Sequence, residues 1–525
     1  MRSGPRSHSP APPGTRDDRG GRGPGARGER TLVALFVEAC RDHGPRPFVL
    51  EGESVHSFAD VARDADRVAR GLAARGIEPG ARIAILLPDG AGYIAAFFGV
   101  QLAGCTAVPI DPRLHRREVE ILLELCVCRV LIGASAPPGA GELGPPSCVR
   151  LGMAALLADP GAAGAPPAIL KGGPAEGDPA VILCTSGSTR APKAVVLTHC
   201  GLFTNQRAFS ERCGITRDDV MVSSLSLCHS FGMTAWMLTA LANGCAMVIP
   251  DEALPGRIAA LAARHRATVL LAAASFYSYL VRSSACRRED LATLRCCLSG
   301  ACALAREVVA RFTEKFGHEI VQTYGLTEAS PVVTANPPGD SRIGTVGTAL
   351  EGVELTIVDE RGQPAAEGEL CVRGELVMQG YLGNASDTAA CLDGAGWLRT
   401  GDLARIDHDG YVTLLGRAKD VIIRAGSKLY PDEIEEVLHE HPGVAEAAVV
   451  GLPDPAYEEI PVAFIVWTRP EPLDPLELQA FCRDRMALFK VPRLFRVVPA
   501  LPRNPNGKVL KRTLREWLSG TPGLP

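Results

Sequence analysis

Residues 184–199 read CTSGSTRAPKAVVLTH. Gly187 stands among Thr185, Ser186, Ser188 and Thr189, with Lys193 closing the run. Hydroxyls, backbone N–H groups and one ammonium are what a phosphate needs around its oxygens. Gly187 and Lys193 have the spacing of the first glycine and the lysine in G-x-x-x-x-G-K-[ST]. However, Pro192 replaces the second glycine, and Ala194 replaces the hydroxyl that would bind Mg²⁺. Proline lacks an N–H and fixes φ, so the wrapped anion nest cannot form there. A P-loop NTPase is disfavoured. What remains is a Thr/Ser/Gly loop that follows the apolar stretch AVILC and can close over a polyphosphate. A plain surface loop has the same composition, so this loop needs supporting motifs elsewhere.

The chain has 525 residues, 46% of them hydrophobic, and a formal net charge of −4. That length predicts two or more domains. The charge favours neither nucleic acid nor a membrane surface. No stretch of about 20 uncharged apolar residues predicts a spanning helix. Seventeen cysteines lie scattered in core-like runs without Cys-x-x-Cys spacing. They read as reduced, small apolar residues of a cytoplasmic protein, not as zinc ligands or a redox pair. Residues 1–30 are Pro, Gly, Ser and Arg without an apolar signal-peptide core, and they read as a disordered tail.

From Thr31 onward the texture alternates. ARIAILLPD (81–89) reads as a buried parallel strand and AGYIAAFFGVQLAG (91–104) as a helix. EVEILLELC, CRVLIGA, GCAMVIP and RATVLLAAA continue the pattern to about residue 330, which predicts layered α/β sheets. After 340, VELTIVDERGQPAAEGELCVRG reads as an antiparallel hairpin. From Pro431 a small α/β unit follows, with Ile434, Val437 and Leu438 on one helix face.

Three further segments follow the loop in order: QTYGLTEASP (322–331), GWLRTGDLARIDHDGYVTLLGRAKDVII (396–423) and RNPNGKVLKR (503–512). Together the four resemble the adenylate-forming superfamily of acyl-CoA synthetases, adenylation domains and firefly-luciferase-like enzymes. The resemblance covers the chain from about residue 31 to its end. It implies an α/β fold: a large N-terminal domain (31–417) of layered α/β sheets plus a β-rich subdomain, and a small mobile α/β C-terminal domain (418–525). It implies two steps, acyl-adenylate formation from a carboxylic acid and ATP, then attack by a thiol.

The same resemblance implies roles. Thr185 to Lys193 would cover the β- and γ-phosphates. Glu328 would help hold Mg²⁺, and Thr327 would stand beside the α-phosphate. Tyr324 would stack on adenine, flanked by Gln322, Thr323 and Gly325, with Gly300, Ala301 and Cys302 on the nucleotide wall. Asp402 would accept the ribose hydroxyls, with Arg417 beside it. Lys508 would enter from the C-terminal domain and bridge the carboxylate and the α-phosphate. Lys419 would be the hinge, and Gly426 would line the thiol tunnel.

LSLCHSFGMTAW (225–236) resembles the acid-pocket segment, with His229, Ser230, Phe231 and Met233. Amino-acid-activating relatives carry an aspartate where Ser230 stands, so a free amino acid is disfavoured. A medium- or long-chain fatty acid, or a related apolar acid, is expected. Two departures stand out: Arg190 where relatives have glycine, and Ala303 where proline is usual. The acceptor is expected to be CoA, with a carrier-protein phosphopantetheine as the alternative. A non-catalytic acyl-nucleotide binder is the third reading.

Overall fold

The structure is a computed structural model, which describes residues 29–133, 148–158, 173–185, 192–301, 304–504 and 507–518. The tail expected at 1–30 falls outside them except for Glu29 and Arg30. Ser186 to Thr189, Arg190, Cys302 and Ala303 also lie outside.

The first helix, Leu32–His43, begins where the tail was expected to end, and the Thr31 hydroxyl caps it by accepting from Ala34 N–H. The strand read at 81–89 and the helix read at 91–104 form as expected. Arg82–Leu86 is a strand flanked by parallel neighbours Thr106–Pro109 and Val130–Gly133. Ala91–Leu102 is the helix after it, apolar on nearly all sides and buried accordingly.

These strands belong to a seven-stranded sheet that also contains Pro179–Thr185 and Lys193–Thr198. The last two pair antiparallel, with Thr185 opposite Lys193. The phosphate-loop segment therefore connects two strands of a hairpin. A P-loop would lead from a strand into a helix, so the topology agrees with the sequence objection to one.

A nine-stranded sheet packs beside it, with a parallel centre that includes Val220–Ser223, Val269–Ala273, Cys296–Gly300 and Ile320–Gly325. The largest core cluster fills the space between the two sheets. In open parallel sheets the carboxyl ends of the strands are where a ligand crevice opens. Three segments of interest leave this sheet at those ends, after Val220–Ser223, Cys296–Gly300 and Ile320–Gly325.

A four-stranded antiparallel sheet follows, from Glu354–Val358, Glu367–Arg373, Leu398–Ile406 and Val412–Arg417. The hairpin expected after residue 340 is its first pair. A five-stranded sheet with helices Pro431–His439, Pro475–Arg483 and Lys511–Leu518 forms the C-terminal domain, which has its own core. Ile434 and Leu438 of the first helix are buried, and Val437 is half-buried. No described helix is long and apolar enough to cross a membrane.

Candidate functional site

The antiparallel register of Leu398–Ile406 with Val412–Arg417 places Asp402 directly opposite Arg417. Opposed side chains in such a pair are within reach of each other. Arg417 Nε donates to Asp402 Oδ1 at 2.6 Å, and Nη2 lies 3.4 Å from Oδ2. Burial pulls the Arg417 guanidinium down, but Asp402 more than offsets it and the net shift is upward. Tyr324, near the end of Ile320–Gly325, donates its hydroxyl to Asp402 Oδ2 at 2.8 Å. That bond joins the four-stranded sheet to the nine-stranded one. Burial, then the neighbouring Asp402 charge, holds the Tyr324 phenol protonated.

Beyond Tyr324 the chain turns sharply. A Cβ on Gly325 would stand 1.8 Å from the Pro331 carbonyl oxygen, so only glycine fits there. The short 3₁₀ turn Thr327–Ala329 follows and presents two side chains. Thr327 shares a hydrogen bond with Ser230 across 3.2 Å. Glu328 Oε1 accepts from the Tyr381 hydroxyl at 2.9 Å.

Tyr381 pairs antiparallel with the strand that begins at Lys193. The Lys193 ammonium lies 4.6 Å from the Tyr381 ring centroid and 2.7 Å from Asp387 Oδ2. The hydrogen bond from Lys193 draws the Asp387 carboxyl below its ordinary range. The end of the phosphate loop is thus brought to Glu328 through Tyr381. Neither Tyr381 nor Asp387 was named from sequence. Both sit in a two-residue strand and the helix after it, segments without a motif of their own.

The acid-pocket segment leaves the parallel strand Val220–Ser223. Asp89 holds it from below, accepting from Ser226 Oγ and Leu227 N–H, both at 3.0 Å. The Tyr93 hydroxyl donates to the Leu227 carbonyl. His229 Nδ1 accepts from Phe231 N–H, which leaves the ring proton on Nε2. Burial lowers His229 to about 4, so the imidazole is neutral near pH 7. Phe231 and Met233 are buried, and residues Gly232–Leu238 form a π-helix, a form frequent near functional sites. Gly300 ends its strand against Phe231: a Cβ there would stand 2.9 Å from the phenyl ring and 2.8 Å from Thr323 Oγ1. Thr323 Oγ1 donates to the Ser299 carbonyl. The Gln322 carbonyl accepts from Asn336. Ala301, next to Gly300, has a φ of 69°, uncommon for a residue with a side chain.

Lys508 sits in a turn of the C-terminal domain, where its N–H donates to Asn504 Oδ1. Gly507, at φ 80°, lies against the N-terminal domain: its Cβ position is 3.1 Å from Ser275 Oγ. Burial lowers the Lys419 ammonium, and the nearby charges of Arg417 and Lys508 lower it further. The charges of Arg417 and Lys508 are thus both felt at Lys419. At Gly426 a Cβ would meet open space, and its N–H donates to Glu458 Oε2.

No group of three His, Cys, Asp or Glu side chains converges as a metal site among the described residues. A cation at Glu328 would take phosphate and water oxygens for its other ligands, a habit of Mg²⁺. One carboxylate, with Lys193 brought near it through Tyr381, fits that pattern.

The model of the AMP-binding enzyme family matches residues 36–382, and that of the AMP-binding enzyme C-terminal domain matches residues 433–508. The chain is 32% identical over 501 residues to a sulfoacetate–CoA ligase of Cupriavidus necator, covering 92% of this chain and 97% of the relative. It is 31% identical over 544 residues to a long-chain-fatty-acid–CoA ligase of Bacillus subtilis, covering 93% and 94%. Among solved structures, the ATP-bound MatB of Rhodopseudomonas palustris superposes with a TM-score of 0.85 at 29% identity, covering 94% of this chain and 99% of that one.

Proposed function

From the premise that this chain belongs to the AMP-binding enzyme family and is an AMP-forming acyl-CoA synthetase, we propose that it joins an uncharged, apolar acid to CoA, with a medium- or long-chain fatty acid foremost. The acid carboxylate attacks the α-phosphorus of ATP, and pyrophosphate leaves. The CoA thiol then attacks the acyl carbonyl, and AMP leaves as the thiol proton is released.

The buried Tyr324–Asp402–Arg417 constellation carries the nucleotide half of this reading. Asp402 Oδ1 accepts once, from Arg417 Nε, and retains a lone pair for a ribose hydroxyl, whereas Oδ2 accepts from Tyr324 and, at 3.4 Å, from Arg417 Nη2, so a second ribose hydroxyl would take the place of that long contact. Tyr324 presents its ring to the base. Thr327 stands at the α-phosphate, and Thr185, the loop hydroxyls and Lys193 take the outer phosphates, Lys193 exchanging Asp387 for them. Mg²⁺, held by Glu328 and phosphate oxygens, would neutralise triphosphate charge. A neutral His229 brings no charge to the acid carboxylate, so that task falls to Lys508. Preorganised charge of this kind commonly supplies most of the acceleration in such a step.

Residues 31–417 act as the adenylating domain, and 418–525 turn about Lys419. In this reading Lys508 serves the nucleotide side during the first step, with Gly426 outside it. Rotation would exchange them, with Gly426 admitting the pantetheine arm. The acid class is supported by His229, Phe231 and Met233, with Ser230 bound to Thr327 where an ammonium partner would otherwise stand.

The test is acid-dependent pyrophosphate release over a panel of fatty, aromatic, dicarboxylic and amino acids, each with CoA or with holo carrier protein. Fatty or aromatic acids with CoA should turn over best. A preference for amino acids, or product with carrier protein alone, would overturn the proposal.

A further inference from the structure

Three residues beyond Lys508 stands a second lysine that no step above uses. Lys511 opens helix Lys511–Leu518, and its side chain is only 15% exposed. An ammonium so enclosed is costly unless it is paired. Its Nζ lies 2.7 Å from Glu435 Oε1 and 3.3 Å from Asp432 Oδ1. Glu435 Oε1 also accepts from Val449 N–H at 2.7 Å, which fixes it to strand Val444–Asp454 at the edge of the small domain's sheet. Asp432 packs beside Gly416, whose Cβ position is 3.7 Å from the carboxyl carbon. One turn further along the helix, Arg515 donates to Asp420 Oδ1 at 2.9 Å. Residues four apart share a helix face, so Lys511 and Arg515 project from the same side. Asp420 immediately follows the proposed hinge.

We propose that Lys511 is a positioning residue for Lys508: with Asp432, Glu435, Arg515 and Asp420 it fastens the lysine-bearing turn to the first residue past the hinge, so that hinge and lysine move as one lever. This rests on the adenylation role given to Lys508 above. Every group in the cluster lies C-terminal to Lys419, so rotation there leaves it intact. What rotation breaks is the packing of Asp432 on Gly416 and of Gly507 on Ser275. A flexible side chain delivered by a turn is only as well aimed as the base of that turn. A misplacement of about 1 Å can cost on the order of 10²-fold in rate. A cluster serving only to stabilise the small domain would affect both half-reactions alike.

The experiment measures two half-reactions on the full chain: acid-dependent ATP–pyrophosphate exchange, and conversion of supplied acyl-adenylate to acyl-CoA. Dodecanoate and dodecanoyl-adenylate are the first probes, followed by the other acids of the panel. Lys511→Met should lose roughly 10- to 100-fold in exchange while the supplied adenylate is converted undiminished. Lys511→Arg should restore exchange. Arg515→Met, which severs the tie at the hinge and spares the Lys511 pairs, should show the same one-sided loss to a smaller degree, and it decides the matter if Lys511→Met does not fold. Equal losses in both half-reactions, or no loss in exchange, would overturn the proposal. Lys508→Ala runs in parallel. If it loses exchange while the Lys511 and Arg515 variants do not, the lever alone fails. If it keeps exchange, or the parent is inert with every acid, the reading beneath fails and the lever with it.

Discussion

The nucleotide side and the acid side of the site are built in opposite ways. On the nucleotide side, polar groups are set by backbone register: Asp402 meets Arg417 because their strands pair there, and Tyr324 closes the group from another sheet. On the acid side, shape is set by packing: Phe231 rests on a bare Gly300, and the segment bearing it is pinned by Asp89 and Tyr93. Hydrogen bonds of fixed geometry tolerate few residue types, whereas a packed wall tolerates many of similar volume. The first side is thus suited to an invariant ligand and the second to a ligand that differs between relatives. The relatives themselves carry names as different as sulfoacetate–CoA ligase and long-chain-fatty-acid–CoA ligase.

The contrast is broken most severely at Lys508, which is proposed to serve both sides. Lys508→Ala should lose acid-dependent pyrophosphate release by roughly 10²-fold or more, and it should still convert a supplied acyl-adenylate to thioester. Equal loss in both measurements would mean that the lysine is not confined to the first step.

Next comes Asp402→Asn. It leaves the half-buried Arg417, 32% exposed, without its counter-charge, a break that solvent screening brings to about 1–3 kcal/mol. Differential scanning calorimetry should show a lowered Tm, and the KM for ATP should rise while the ranking of acids is unchanged. A reordered ranking would show that the two sides are not separable.

Gly300→Ala probes the other side. The added methyl must displace Phe231 or Thr323, at about 1–3 kcal/mol of overpacking. The ranking of acids should shift toward smaller ones, and because Gly300 also lies against Thr323 on the expected nucleotide wall, the KM for ATP should rise to a smaller degree. An unaltered acid profile would remove Phe231 and Gly300 from the pocket wall.

The smallest effect is expected at Asp89, where burial raises the carboxyl to about 6 against the hydrogen bonds from Leu227 and Ser226 and the charge of Arg113. A folded-state value above the unfolded one means stability that is fully present below the unfolded value near 4 and lost as pH rises through about 6. Asp89→Asn keeps an acceptor for Ser226 and Leu227 and removes the charge. Its advantage over the parent should therefore grow from pH 4 to pH 8, to about 1–3 kcal/mol by thermal denaturation. A pH-independent difference would refute the ionisation argument.

Legibility in the sequence followed the same division. Glu328, Asp402, Arg417 and Lys508 stood in motifs because each holds a polar role at a fixed place in a strand or turn. The strand Arg82–Leu86 and the helix Ala91–Leu102 were legible because burial on every side leaves an unbroken apolar run. Tyr381 and Asp387 were not, since a two-residue strand pairing across the sheet edge leaves no periodicity. Asp89 was missed because its meaning lies in contacts with residues 226 and 227, far along the chain. Lys511 reads as one more surface cation in a basic stretch, and only its enclosure by two carboxylates distinguishes it.

The bond from Tyr324 to Asp402 also sets a timetable. Its partners are 78 residues apart in the chain. A ribosome adding about 5–20 residues per second places Asp402 roughly 4–16 s after Tyr324. Phe231 and Gly300 are made before Tyr324. During synthesis the residues proposed to wall the acid therefore precede the carboxylate proposed to grip the ribose, and nucleotide could steady the young protein only after Asp402 had left the exit tunnel.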